Sequence, residues 1–404
     1  MKALLEFLKG ALPWALGLAL LMQLLEFWGW IASPEGKLLD FFLWIGPSVT
    51  SAPPPRIAAV NIDDEGFQQC FSFSPMDPEK IGLIVQMALD AKPRAVGVDI
   101  ITDAEKLQLD YEKLPRDPRV VWAAGVQSSH EEIDSFVDWI TGPHLIMVHP
   151  TKVLGKEVTG DATVRWALPI YPREEDLHLR RFPRQVITPP ACLRLTWPST
   201  VAQLYRPDLS FEKDLEQKAK RGEIDELMVA RVPRDLRWYK LTELFNCKPG
   251  FALRTDADGL KNLESLQNDA ANQIVLIGGT FASGRDFYET PDGRISGLEM
   301  NANAITAEVA GTTLTEMPPR YRFLLDICVG LGIAFIFERK SKSVNWRIAW
   351  SLGGILIALS LAASVLYQSR LVWLSCVGIA IGMMLHVFIE IWREHLPGSE
   401  KAEH

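Results

Sequence analysis

"IVLIGGTFASGRDFYETPDGRISGLEMNANAI", residues 274–305, holds a change of hydrophobic period that decides the fold. Residues 274–280 form a short, β-branched apolar run, the pattern of a strand buried on both faces in a parallel sheet. A glycine-rich turn with Asp286 follows, then a helix over about 297–310 that Gly311 can cap. Gly279 to Asp286 reads G-T-F-A-S-G-R-D, close to the phosphate-binding G-x-x-x-x-G-K-[ST]. Arg285 stands where the phosphate-reaching lysine belongs, and Asp286 where a hydroxyl would hold magnesium. Two of that motif's chemical jobs are missing, which argues against nucleotide hydrolysis.

Working outward, "IAAVNIDD" (57–64) is a second buried-strand run, introduced by the stiff "SAPPPR" (51–56). A helix is expected at 78–91, with Asp77 as cap, Pro78 in the first turn, and Ile81, Ile84, Val85, Ala88 and Leu89 as its apolar stripe. "AVGVDII" (95–101) is the next strand, completing a parallel strand–helix–strand unit. "RVVWAAGV" (119–126) continues the series. Between 130 and 270 the pattern blurs into strand and loop at 162–172, a short helix at 197–205 and an exposed charged helix at 211–227. The expectation is an α/β extracytoplasmic domain with a largely parallel sheet, plus four transmembrane α-helices.

Those four helices come from apolar stretches at the two ends of the 404-residue chain: 11–31, 320–338, 348–368 and 371–392. Trp373 and Trp392 are read as interfacial anchors of the last. A cleaved signal peptide is the rival reading of the first stretch, but a cut after "WIA" places Trp30 where a small residue is wanted. Lys2 and Lys9 precede the first span, and Arg339, Lys340, Lys342 and Arg347 sit in the basic loop 339–347. Basic flanks face the cytoplasm, so segments 1–10, 339–347 and 393–404 are assigned inside and 32–319 outside, in a multi-pass protein of the plasma membrane. The outer segment has more Asp and Glu than Lys and Arg, and the whole chain carries a formal charge of −8. That balance argues against nucleic acid as a partner.

Asp63 and Asp64 end the first strand and Asp99 lies near the end of the second. Parallel strands bring such ends to one edge, where open α/β sheets bind ligands. Asp63, Asp64, Asp99, Arg285 and Asp286 are therefore the candidate ligand-binding residues. Asp63, Asp99 and Asp286 are the candidate oxygen ligands for Mg²⁺ or Ca²⁺. The alternative is that each aspartate caps a turn through the backbone. No nucleophile with an adjacent base is visible. His144 and His149 read as loop residues.

Asp326 and His386 are ionisable groups in otherwise apolar stretches, and are candidates for coupling between transmembrane helices. Cys70, Cys192 and Cys247 leave room for one disulfide and one thiol; Cys192 with Cys247 is one choice and three free thiols another. Cys328 and Cys376 read as packing residues.

The order "IDD", "GVDI", "VRWALPIY", "PSTVAQL" and then the 274–305 block, between one N-terminal and three C-terminal spans, resembles the second subtype of the CHASE group of bacterial extracellular sensory domains. The resemblance covers most of residues 35–320. It implies an extracytoplasmic ligand sensor that signals through its helices, as a symmetric dimer, to a cyclase, kinase or phosphatase domain. Two departures stand out. Only about a dozen residues follow the last span, which points to a separately encoded cytoplasmic effector, and "FSFSPMDPEKI" (71–81) lacks the tryptophan-proline pair and arginine of the family. Two other classes stay open: a membrane scaffold, and a metal-dependent extracytoplasmic enzyme using the aspartates.

Overall fold

The computed structural model describes residues 2–27, 32–45, 52–72, 76–100, 115, 117–123, 125–128, 145–148, 165–167, 169, 179–188, 192–209, 226–229, 235–281, 286–291, 293–317, 319–338, 353, 355–370, 372–374 and 377–395. In chain order, α1 (Lys2–Phe27) and α2 (Ala32–Ile45) are followed by β1 (Arg56–Ile62), α3 (Pro78–Asp90), β2 (Ala95–Asp99), β3 (Val120–Ala123) and β4 (Arg165–Ala167). Then come α4 (Trp197–Tyr205), β5 (Asp235–Lys240), α5 (Ala257–Ala270), β6 (Ile274–Gly279), the hairpin β7 (Phe287–Thr290) and β8 (Gly293–Ser296), and α6 (Gly297–Ala310). The last helices are α7 (Pro319–Glu338), α8 (Ile355–Arg370) and α9 (Val377–His395). Residues divide into two compact units, Thr50–Thr313 and Met1–Val49 with Leu314–His404.

The Thr50–Thr313 unit is built on a six-stranded sheet in the order β5-β1-β6-β2-β3-β4. Every neighbouring pair in it is parallel. The expected parallel α/β sheet is therefore present. Its strands are apolar on both sides because helices cover both faces. On one face Ala58, Val60, Val96, Val98, Val275 and Ile277 pack with α3 and α5 through Ile81, Ile84, Val85, Leu266 and Ala270. On the other, Ile57, Ala59, Ala95, Ile274 and Leu276 pack with α4 and α6 through Trp197, Val201, Leu298, Ala302 and Ile305.

Local signals explain the ends of these helices. The Asp77 carboxylate accepts from the Glu79 N–H at 2.9 Å to start α3, with Pro78 at its first position. The Ser296 hydroxyl accepts from the Glu299 N–H at 3.2 Å to start α6, and Gly311 ends it at φ 66°. The close approach of α4 to the sheet depends on Gly97, where a Cβ would lie 2.6 Å from the Trp197 ring. The Trp197 Nε1–H donates to the Val121 carbonyl at 3.3 Å, so the indole is fixed as well as packed.

The second unit is helical. Ile333, Leu359, Ala363, Leu374, Ile379, Met383 and Val387 form its buried apolar cluster. Helices occur at all four of the apolar stretches, and α2 adds one where the outer segment was expected to begin. Among the described residues no helix is long and apolar enough to cross a membrane. α8 has 16 described residues, while α7 includes Arg320, Arg322, Asp326 and Glu338 and α9 includes Glu390, Arg393 and Glu394. Trp373 is not an exposed anchor: it is 2% exposed, its ring 5.3 Å from that of Phe42. Trp392 is 55% exposed.

The basic loop 339–347, the charged segment 211–225, His144, His149, Arg285 and Cys376 lie outside the described residues.

Candidate functional site

Side chains alternate across a strand, so Asn61 and Asp99 share the sheet face of Ala59 and Ala95, the face that α6 covers. The register puts them in one row. Asn61 pairs with Lys240 on one side and Gly278 on the other, and Gly278 pairs with Asp99. The row Lys240–Asn61–Gly278–Asp99 thus runs across four strands at their carboxyl ends, the edge at which open α/β sheets take ligands. Gly278 leaves the middle of the row without a side chain; a Cβ there would meet Leu298 at 2.9 Å and Asp99 at 3.3 Å.

Asp99 is the electrostatic centre of this edge. Its Oδ2 accepts from the Asn301 Nδ2–H at 2.6 Å, and Asn301 is 1% exposed on α6. Burial pushes the Asp99 carboxyl up to about 7, the negative charge of Asp286 adds to the rise, and the Asn301 hydrogen bond opposes it. At neutral pH the group therefore stands between its acid and its carboxylate.

Asp286, the residue before β7, comes within electrostatic reach of Asp99. Its carboxylate lies against the first residue of α6, where a Cβ on Gly297 would fall 1.9 Å from Oδ2. The Gly297 N–H donates to the Asp286 carbonyl at 2.9 Å. A helix N-terminus favours negative charge, which suits a carboxylate there. Glycine at 297 is thus a requirement of the site.

Asp63 has a different task. Its Oδ1 accepts from the Gly66 N–H at 2.8 Å as the cap of the single turn Asp64–Gly66. Its Oδ2 lies 3.5 Å from Lys240 Nζ. Asp64 is exposed in that turn. The structure therefore brings together Asp99 and Asp286, and gives Asp63 the capping role that was the alternative. Among the described residues no group of three His, Cys, Asp or Glu side chains is placed to hold a metal ion. The Asp63–Asp99–Asp286 ligand set for Mg²⁺ or Ca²⁺ is thus not assembled.

Sequence reasoning left out Asn61, Thr280 and Lys240 as site residues, while Asn301, with Asn303 and Glu299, could be read either as lining a polar groove or as an ordinary helix-surface residue. The Thr280 hydroxyl donates to Asn61 Oδ1 at 2.7 Å and its N–H to the Ile62 carbonyl at 3.0 Å, tying the ends of β1 and β6 together. A polar residue inside the buried run "AAVNI" was the available signal for Asn61. Lys240 needed the strand order, which places β5 beside β1.

Cysteine pairing also differs from the first choice. Cys70, in the turn Phe67–Phe71, is joined to Cys247. The bond lies in the core on the α3–α5 face, beside Phe71 and Phe245.

A six-stranded parallel sheet with helices on both faces and a polar row at its carboxyl edge defines an α/β domain. The family model of the CHASE2 domain matches residues 15–336, and the chain belongs to that family of extracellular sensory domains. No curated protein and no solved structure matches the chain.

Proposed function

We propose that this chain is a membrane-anchored sensor subunit. The Thr50–Thr313 unit binds an environmental ligand at the Asn61–Gly278–Asp99 edge, and the helices carry the change to a separate cytoplasmic effector. The observation that carries the ligand site is the Asp99–Asp286 pair under Asn301. Two carboxyl groups in one walled-in position repel each other, and a cationic or donor-rich ligand relieves that repulsion.

Membership of an extracellular sensory family supports the sensor role. Attachment to a bilayer is supported by apolar side chains that face outward on the helical unit. Leu20, Leu324, Ile357, Leu361, Val365 and Phe388 are 55–67% exposed, although among the described residues no single helix qualifies as a span. Ligand and effector act through differential affinity for two helix arrangements, and no catalytic step in this chain is required.

The test uses tagged full-length protein purified from membranes of its own host. Mass spectrometry of stoichiometric co-eluting proteins identifies the effector, and thermal shift of wild type, Asp99→Asn and Asp286→Asn with Mg²⁺, Ca²⁺ and small amines probes the edge. The expected result is a co-eluting cytoplasmic signalling protein and a ligand shift that either substitution abolishes. Recovery with envelope proteins only, together with identical shifts in all three proteins, would overturn the reading in favour of a scaffold.

A further inference from the structure

Inside the helical unit, α1, α7 and α9 meet at a cavity of about 10 Å³, the scale of one water molecule. Its lining includes Ala15 and Met22 of α1, Asp326 and Gly330 of α7, and Gly382 and His386 of α9. Asp326 and Gly330 are four residues apart, as are Gly382 and His386, so each helix presents one ionisable group and one glycine on the same face. His386 is 1% exposed. A Cβ on Gly330 would lie 3.0 Å from both Cδ2 and Nε2 of the imidazole and 3.1 Å from Ala15 Cβ, so the ring occupies the notch that glycine leaves. On α9, a Cβ on Gly382 would lie 3.2 Å from Met22 Cγ, giving α1 the corresponding close approach.

We propose that the Asp326–Gly330 and Gly382–His386 pairs form a register lock between α7 and α9. Most of the surrounding contacts are apolar, so an ionisable side chain is tolerated only where it finds room and polar company. Buried polar groups of this kind have their best-attested use in fixing helix register. With the imidazole in the Gly330 notch and Asp326 one turn away in the same cavity, one register is defined. A slide of one turn, about 5.4 Å, moves the ring against Asp326 in one direction or the Ala334 methyl in the other and takes it out of the notch. Positions between the two are excluded by contact, so the helices hold discrete registers, the property that a helix ratchet requires. The lock concerns only contacts within the helical unit and requires neither the ligand nor the effector proposed above.

The experiment is a cross-linking ladder on the full-length chain in lipid vesicles, with Cys192, Cys328 and Cys376 replaced by serine. Val329→Cys on α7 is combined in turn with Ile379→Cys, Met383→Cys or Val387→Cys, which step along α9 by about one turn each. Otherwise wild-type protein is expected to give one dominant pair. His386→Leu and Gly330→Ala are each expected to lower that pair roughly tenfold relative to its neighbour on the ladder, while His386→Gln, which keeps a polar side chain for the notch, preserves it. A shift in either of the first two variants supports the lock. The same dominant pair at the same strength in both overturns it.

Discussion

Asn301 Nδ2 donates to Asp99 Oδ2 at 2.6 Å, the bond that joins the carboxyl end of β2 to α6. It opposes the upward push on Asp99 without cancelling it, because burial and the charge of Asp286 carry the group from 3.8 to about 7. A raised carboxyl pKa means that the folded state holds the proton more tightly than the unfolded chain. The stability from this group is therefore fully present below about pH 3.8, declines as pH rises toward about 7, and is flat above. The shift corresponds to on the order of 4 kcal/mol, an upper figure because Asp99 retains partial exposure as a residue. Asp99→Asn should equal wild type near pH 4 and exceed it at pH 8 in urea denaturation of the full-length protein. Parallel pH profiles for the two proteins would show that the Asp99 proton has no such linkage.

Gly97 is predicted to be intolerant of even one methyl group. A Cβ there meets Cη2 and Cζ2 of Trp197 at 2.6 Å and Leu276 Cδ2 at 2.9 Å. The indole is wedged between sheet and helix and is held by Val121, so it has little freedom to retreat. Gly97→Ala should cost about 1–3 kcal/mol, the usual penalty of overpacking a well-filled core. The denaturation midpoint measures this, and an unchanged midpoint would show that α4 moves freely.

The parts legible in the sequence were those that local pattern alone specifies. "IAAVNI", "AVGVD" and "IVLIGG" are apolar on both faces and appear as β1, β2 and β6; Asp77 with Pro78, and Gly311, set helix ends as expected. β5 was missed because "DLRWYK" borders the sheet on one side only, and its charges suit that edge. α5 was missed because few of its residues are apolar; only Gly259, Leu266 and Ala270 are buried. Asp99 and Asp286 were named as candidates from their places beside strand ends, and the structure puts them within electrostatic reach of each other. Lys240 joined the edge only through the strand order β5-β1-β6-β2, which no local pattern encodes. Asp63 was placed at the edge by the same argument as Asp99, and one of its oxygens caps the turn that follows.

Glu308 anchors the opposite end of α6. Its side chain is 0% exposed, accepts from the Ser199 hydroxyl at 2.6 Å, and lies 3.3 Å from Arg184 Nε. Thr196 extends the network by donating to Ser199 at 3.2 Å. Removing one partner of a buried ion pair leaves the other charge poorly compensated. Glu308→Ala should therefore cost about 3–5 kcal/mol, and Glu308→Gln less, since the amide oxygen still accepts from Ser199. Equal midpoints for Glu308→Ala and wild type would show that the network contributes no stability.

The Cys70–Cys247 bond links the turn after β1 to the segment after β5, across 177 residues of chain. Closing so long a loop removes much of the freedom of the unfolded chain, and such bonds are worth about 2–5 kcal/mol. Cys247→Ser should lower the denaturation midpoint accordingly, and reductant should lower wild type to the same value while leaving the variant unchanged. A reductant effect of equal size in both proteins would assign the loss to something other than this bond. The same bond reports on compartment, because disulfides persist where the surroundings are oxidising. In protein denatured directly from its native membranes in the presence of an alkylating reagent, Cys70 and Cys247 should resist labelling until a reductant is added. Their full labelling without reductant would show that the bond is not formed in the cell, and would overturn the proposed extracytoplasmic placement of the Thr50–Thr313 unit.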